Sequence, residues 1–137
     1  MSRPYLSKKE LQHLTPGVLD DAAAEFFANG HCASMALALH HLTGWPIYGF
    51  SPKGGLAQHY THHAVVKSPF GFLDAKGLHA LEAWRHARGF EHDDYRIVQL
   101  NQCDLHYAWR NLRLVYPFAE DLLDRYFRKI PIKAVHP

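Results

Sequence analysis

Cys32, His63 and Asp74 have the side-chain types, and stand in the order, that acyl-transfer chemistry uses. A thiol attacks a carbonyl as the thiolate, so it needs surroundings that favour the charged form. Cys32 follows Asn29-Gly30-His31 and precedes the apolar run Ala33 to Leu39, which places it in the first turn of a helix. The N–H groups at a helix start lack backbone partners, and together with the helix dipole they stabilise a thiolate. They can also hold the oxyanion of a tetrahedral intermediate. Alone, a cysteine beside alanines fits a small core residue equally well.

The partners are what give Cys32 its chemistry. His63 opens the run His-Ala-Val-Val, and Asp74 closes Gly-Phe-Leu-Asp, with Ser68-Pro69-Phe70 between the two runs. Positions eleven apart around a short antiparallel turn can face each other across the ladder. An aspartate there fixes the tautomer of the imidazole and stabilises the imidazolium formed when it deprotonates the thiol. His62 is the competing base. Adjacent strand residues point to opposite faces, so only one of the two histidines can meet Cys32. His63 shares a face with Val65, and His62 shares one with Ala64 and Val66, so periodicity leaves the choice open.

Several elements must position these groups. Ser7 caps a short helix over Lys8 to Leu14, and Thr15-Pro16 predicts a second helix running to about Phe27 and ending at Asn29-Gly30. The cysteine helix runs to Thr43, with Gly44 as its stop, and is apolar on most sides, the mark of a buried central helix. Strands follow at Ile47 to Phe50, Tyr60 to Lys67, Gly71 to Ala75 and Tyr95 to Leu100. Helices are expected over Leu78 to Arg88, Cys103 to Asn111 and Pro117 to Lys129. Helices first, then a small antiparallel sheet with helices packed on it, make a single α+β domain.

The segment Gly30-His-Cys32 through Thr43-Gly44-Trp45-Pro46 resembles a pattern in small bacterial and phage proteins, in which Gly-x-Cys opens a helix ending in Thr-Gly-Trp-Pro. His63 to Val66 and Gly71 to Asp74 resemble the strands that follow in such proteins. The order is also similar to the core of papain-like, transglutaminase and arylamine N-acetyltransferase enzymes. The likeness covers about Asn29 to Gly77. It implies a papain-like core, a thiol hydrolase or acyl transferase, and His63 as the base. The activities it implies are cysteine peptidase, amidase, deamidase or transglutaminase-like. A protein or peptide substrate and a place in phage–host or bacterial conflict follow by the same analogy. Papain proper carries a glutamine before its cysteine as an oxyanion donor, and none stands near Cys32. Asn29 can supply an amide instead, and it equally suits a helix end. Aspartate rather than asparagine at position 74 matches the transglutaminase-like arrangement.

Composition sets the remaining bounds. The chain has 137 residues, 47% hydrophobic and 20% charged, with a formal charge of +2, too mild to argue for nucleic acid. The run Ala33 to Leu39 is too short to span a bilayer, and Met1 to Glu10 has no signal-peptide character, so a cytoplasmic protein with reduced thiols is expected. The twelve histidines include His59, His62 and His63, with His40-His41 nearby. Without H-E-x-x-H or C-x-x-C spacing, neither a metal nor any other cofactor is expected. His31 can tune the thiol or contact substrate, with a solvent-exposed role as the simpler use. Trp45, Tyr48 and Tyr60 can wall a cleft or fill the core. The loop Ser51 to Gln58 can be a flap or a plain connection, and Cys103 reads as structural. A fold of this kind can also serve as a non-catalytic binding or inhibitor protein.

Overall fold

A computed structural model describes residues 6–52, 63–80 and 95–127. Its centre is the helix α3 (Cys32–Thr43), which follows α1 (Lys8–Leu11) and α2 (Asp21–Ala28). Every α3 residue from Cys32 to Leu39 is buried, as its all-round apolar sequence requires. Gly44 ends the helix in the left-handed conformation, φ 79°, with its N–H on the His40 carbonyl. Thr43 reinforces that end, its hydroxyl donating to the Leu39 carbonyl and accepting from the Trp45 N–H.

The strands β1 (Ile47–Pro52), β2 (His63–Ser68), β3 (Gly71–Asp74), β4 (Gly77–His79) and β5 (Tyr95–Leu100) form one antiparallel sheet in the order β4-β3-β2-β1-β5. The fold is therefore α+β. The register sorts the side chains into two faces. Ile47, Ala64, Val66 and Leu73 join the main core with Met35, Ala36 and Leu39 of α3. Phe50, Val65 and Phe72 form a second buried cluster with Tyr48 and Ile97. The far side of α3 is closed by α4 (Tyr116–Phe127) and by the 3-10 segments Gln102–Trp109 and Leu112–Leu114. Among the described residues no helix is long and apolar enough to cross a membrane.

Several expected boundaries move. The second helix starts at Asp21 rather than after Thr15-Pro16. Gly17 takes φ 73°, the Leu19 N–H and C=O are bound by Asp121 and Arg125 of α4, and Asp20 caps the helix from its carboxylate. Leu78 and His79 belong to a strand, not to the start of a helix; residues 81–94 lie outside the described part. The helix expected over 103–111 is a kinked 3-10 segment that stops before Asn111, whose φ is 58° and whose amide donates to the Leu6 carbonyl. Cys103, read as structural, is exposed.

Candidate active site

The β2–β3 hairpin brings His63 and Asp74 into contact on a diagonal rather than face to face, since the register Val66↔Leu73 sets Asp74 nearest Val65. His63 Nε2 lies 3.0 Å from Asp74 Oδ2, and both residues are buried. Asp74 is itself held: its other oxygen, Oδ1, accepts the Lys76 N–H at 2.9 Å, closing the turn into β4. A carboxylate so restrained presents one oxygen to the ring in a fixed direction, and its bond determines which imidazole nitrogen carries the proton.

Cys32, His63 and Asp74 line a single crevice with Phe27, Ala28, Met35, Ala36, Leu39, Ala64, Leu73 and Ala75. Its walls pack too closely to leave room for a water molecule. The three groups enter it from different directions. Cys32 belongs to the α3 core, against the Ala64, Val66 and Leu73 face. His63 pairs with Phe50, and Asp74 stands two residues beyond Phe72, so alternation puts both on the opposite face. The end of the hairpin where β2 starts and β3 finishes, which carries His63 and Asp74, borders the crevice that Cys32 also lines. Cys32 is 5% exposed and His63 0%, so the site is closed to solvent.

The remaining sequence candidates take other places. His31 is buried, not solvent-exposed: its ring stacks on Phe26 at 4.7 Å and its Nε2 lies 3.1 Å from Glu10 Oε2. Asn29 caps the end of α2, and its amide donates to Glu25, which accounts for it as a helix-end residue. His31 and Asn29 line a separate open groove of about 350 Å³ with His13, Ala22, Glu25 and Phe26, and neither lines the Cys32 crevice. Trp45 is buried against Phe127 at the opposite end of α3 from Cys32, and it is a core residue. Tyr48 packs edge-on against Phe72 on the far face of the sheet. His62, His59, Tyr60 and most of the expected flap loop lie outside the described residues. Among the described residues no three histidine, cysteine, aspartate or glutamate side chains converge to hold a metal ion.

One neighbour was hidden by the expected helix over 78–88. His79 Nε2 lies 3.6 Å from Asp74 Oδ1, which puts a second imidazole at the carboxylate. The turn chemistry of Asp74-Ala-Lys-Gly77 is the signal that could have revealed it, since an Asx turn ending in glycine favours another strand. Comparison with family models, curated proteins and solved structures yields no match to this chain.

Proposed function

We propose that the protein is a thiol-dependent hydrolase or acyl transferase of papain-like type, acting on an amide, isopeptide or thioester carbonyl of a protein or peptide. The observation that carries this reading is the buried His63–Asp74 hydrogen bond on a crevice shared with Cys32. With Nε2 engaged by Asp74, Nδ1 is the nitrogen that exchanges a proton with the thiol. The Cys32 proton passes to Nδ1, and the thiolate adds to the carbonyl carbon. The oxyanion is held by N–H groups of the first turn of α3. Collapse expels the leaving group, which takes the proton back from His63 and leaves an acyl-thioenzyme. Water then releases an acid, or an amine releases a new amide, by the same steps in reverse. Asp74 stays ionised throughout and holds the ring. Because the crevice is narrow, the carbonyl reaches Cys32 only after the walls part.

A second reading is a binding or inhibitor protein in which the pair is a structural pin. The near-complete burial of Cys32 and His63 favours it. Iodoacetamide labelling of Cys32 across pH, in a Cys103→Ser background, separates the two. An activated thiolate reacts well below the pH at which an ordinary thiol does, and His63→Ala abolishes that reactivity. Ordinary or absent reactivity in the wild type gives the binding reading instead. Loss in His62→Ala, with none in His63→Ala, would transfer the role of base to His62.

A further inference from the structure

We infer that His79 is a positioning residue for His63, acting through a carboxylate that the two imidazoles share. The inference rests on the proposed triad for its catalytic meaning, but the contact itself is independent of it. Asp74 Oδ2 takes His63 at 3.0 Å, while Oδ1 takes the Lys76 N–H at 2.9 Å and faces His79 Nε2 at 3.6 Å. His79 pairs with Phe72 across the β3–β4 ladder, so alternation brings it to the face that carries His63 and Asp74. Its side chain is 26% exposed, against 4% for Asp74 and 1% for His63. The three groups thus run from a sealed imidazole, through a sealed carboxylate, to an imidazole in contact with water.

Among the described residues Asp74 is the anion that His79 meets. Lys76, in the turn between them, turns its ammonium to Glu25 of α2. From α4, Tyr126 brings its hydroxyl toward Gly77 at the start of β4. Proton transfer from Cys32 makes His63 a cation, and Asp74 stabilises that cation in proportion to the negative charge left for it. A neutral side chain at position 79 leaves the whole carboxylate charge to His63. A cation there competes for the carboxylate, repels the imidazolium and disfavours the thiolate. His79 thereby sets the strength with which Asp74 holds His63.

The test uses the Cys103→Ser protein carrying His79→Gln, His79→Arg or His79→Lys. In the Arg and Lys variants the pH profile of Cys32 alkylation moves upward by about one unit, a tenfold lower rate on its acid limb. The Gln variant, whose neutral amide can still donate to Asp74 Oδ1 as a neutral His79 does, is the conservative control and keeps the profile within about twofold of the parent. The ¹⁵N signals of the His63 ring move in the Arg and Lys variants and hold in the Gln variant. A structural role alone would disturb all three alike. If His63→Ala alters the alkylation profile while the Arg and Lys variants match the parent, the inference is overturned and the triad stands. If His63→Ala has no effect, the triad fails, and the His63 ring signals alone decide the inference. Unmoved ring signals in both cationic variants overturn it.

Discussion

His63 stands directly across from Phe50 in the β1–β2 ladder, at the end of β2 that borders the crevice lined by Cys32 of α3. Buried there beside Phe50 and Val65, the ring has Asp74 as its hydrogen-bonding carboxylate. Removing that acceptor strands a polar ring in an apolar layer. Asp74→Ala is therefore expected to lower stability by about 1–3 kcal/mol, the cost of an unsatisfied buried group. His79→Ala, which breaks a longer and partly exposed contact, should cost about 0–1 kcal/mol. Urea denaturation of the two variants measures the difference. Equal losses would mean that Asp74 does not serve His63 in preference to His79.

The crevice has two walls that one ion pair ties together. Ala28 of α2 and Ala75 of the β3–β4 turn both line it, and Glu25, one helical turn before Ala28, pairs with Lys76, next to Ala75. The pair is exposed at 59% and 38%, so it adds little to global stability, about 0–1 kcal/mol. Its effect should appear in access. Lys76→Met and Glu25→Gln are each expected to raise the alkylation rate of Cys32 severalfold while changing the denaturation midpoint little. An unchanged rate in both variants would show that the walls part elsewhere.

Glu10 joins the first helix to the residue before Cys32. Its Oε1 accepts from the Ser7 N–H and hydroxyl, completing a capping box, and its Oε2 meets His31 Nε2 at 3.1 Å. Glu10→Ala removes a cap partner and strips a buried ring of a partner, an expected loss of about 1–2 kcal/mol. Glu10→Gln keeps one oxygen for the Ser7 donors and presents an amide N–H to His31 Nε2, which can accept it in the other tautomer. It should lose less than half as much. Thermal unfolding of the pair reads this, and a Gln variant as unstable as the Ala variant would show that charge rather than hydrogen bonding holds His31.

Legibility in the sequence followed the reach of the forces involved. The limits of α3 were readable because an apolar run, Asn29-Gly30 and Gly44 are all local signals. The His63–Asp74 pair was readable because a short hairpin brings an eleven-residue separation within diagonal reach across the ladder. The start of α2 was not, because Leu19 is held out of a helix by Asp121 and Arg125, about a hundred residues away. Nor was the burial of His31, which depends on Glu10 folding back from another helix. Trp45 looked close to the site because it is near Cys32 in sequence, yet twelve residues of helix place it at the other end, about 18 Å along the axis.

The turn that delivers β4, and with it His79, depends on Gly77. Its φ is 128°, a conformation that L side chains rarely adopt, and a Cβ there would lie 2.5 Å from the Tyr126 hydroxyl of α4. Backbone strain and the clash act together in Gly77→Ala, with an expected loss of about 1–3 kcal/mol. Tyr126→Phe removes the nearest atom and leaves the ring carbon, 3.1 Å from the added Cβ. The double variant should therefore recover part of the loss, the strain share remaining, in a double-mutant cycle with a coupling of about 0.5 kcal/mol or more. The same displacement should loosen Asp74, whose Oδ1 holds this turn through the Lys76 N–H, and move the pH profile of Cys32 alkylation upward, whatever it does to access. Strict additivity of the two substitutions would show that Tyr126 withdraws freely, leaving backbone strain as the whole reason for glycine at this position.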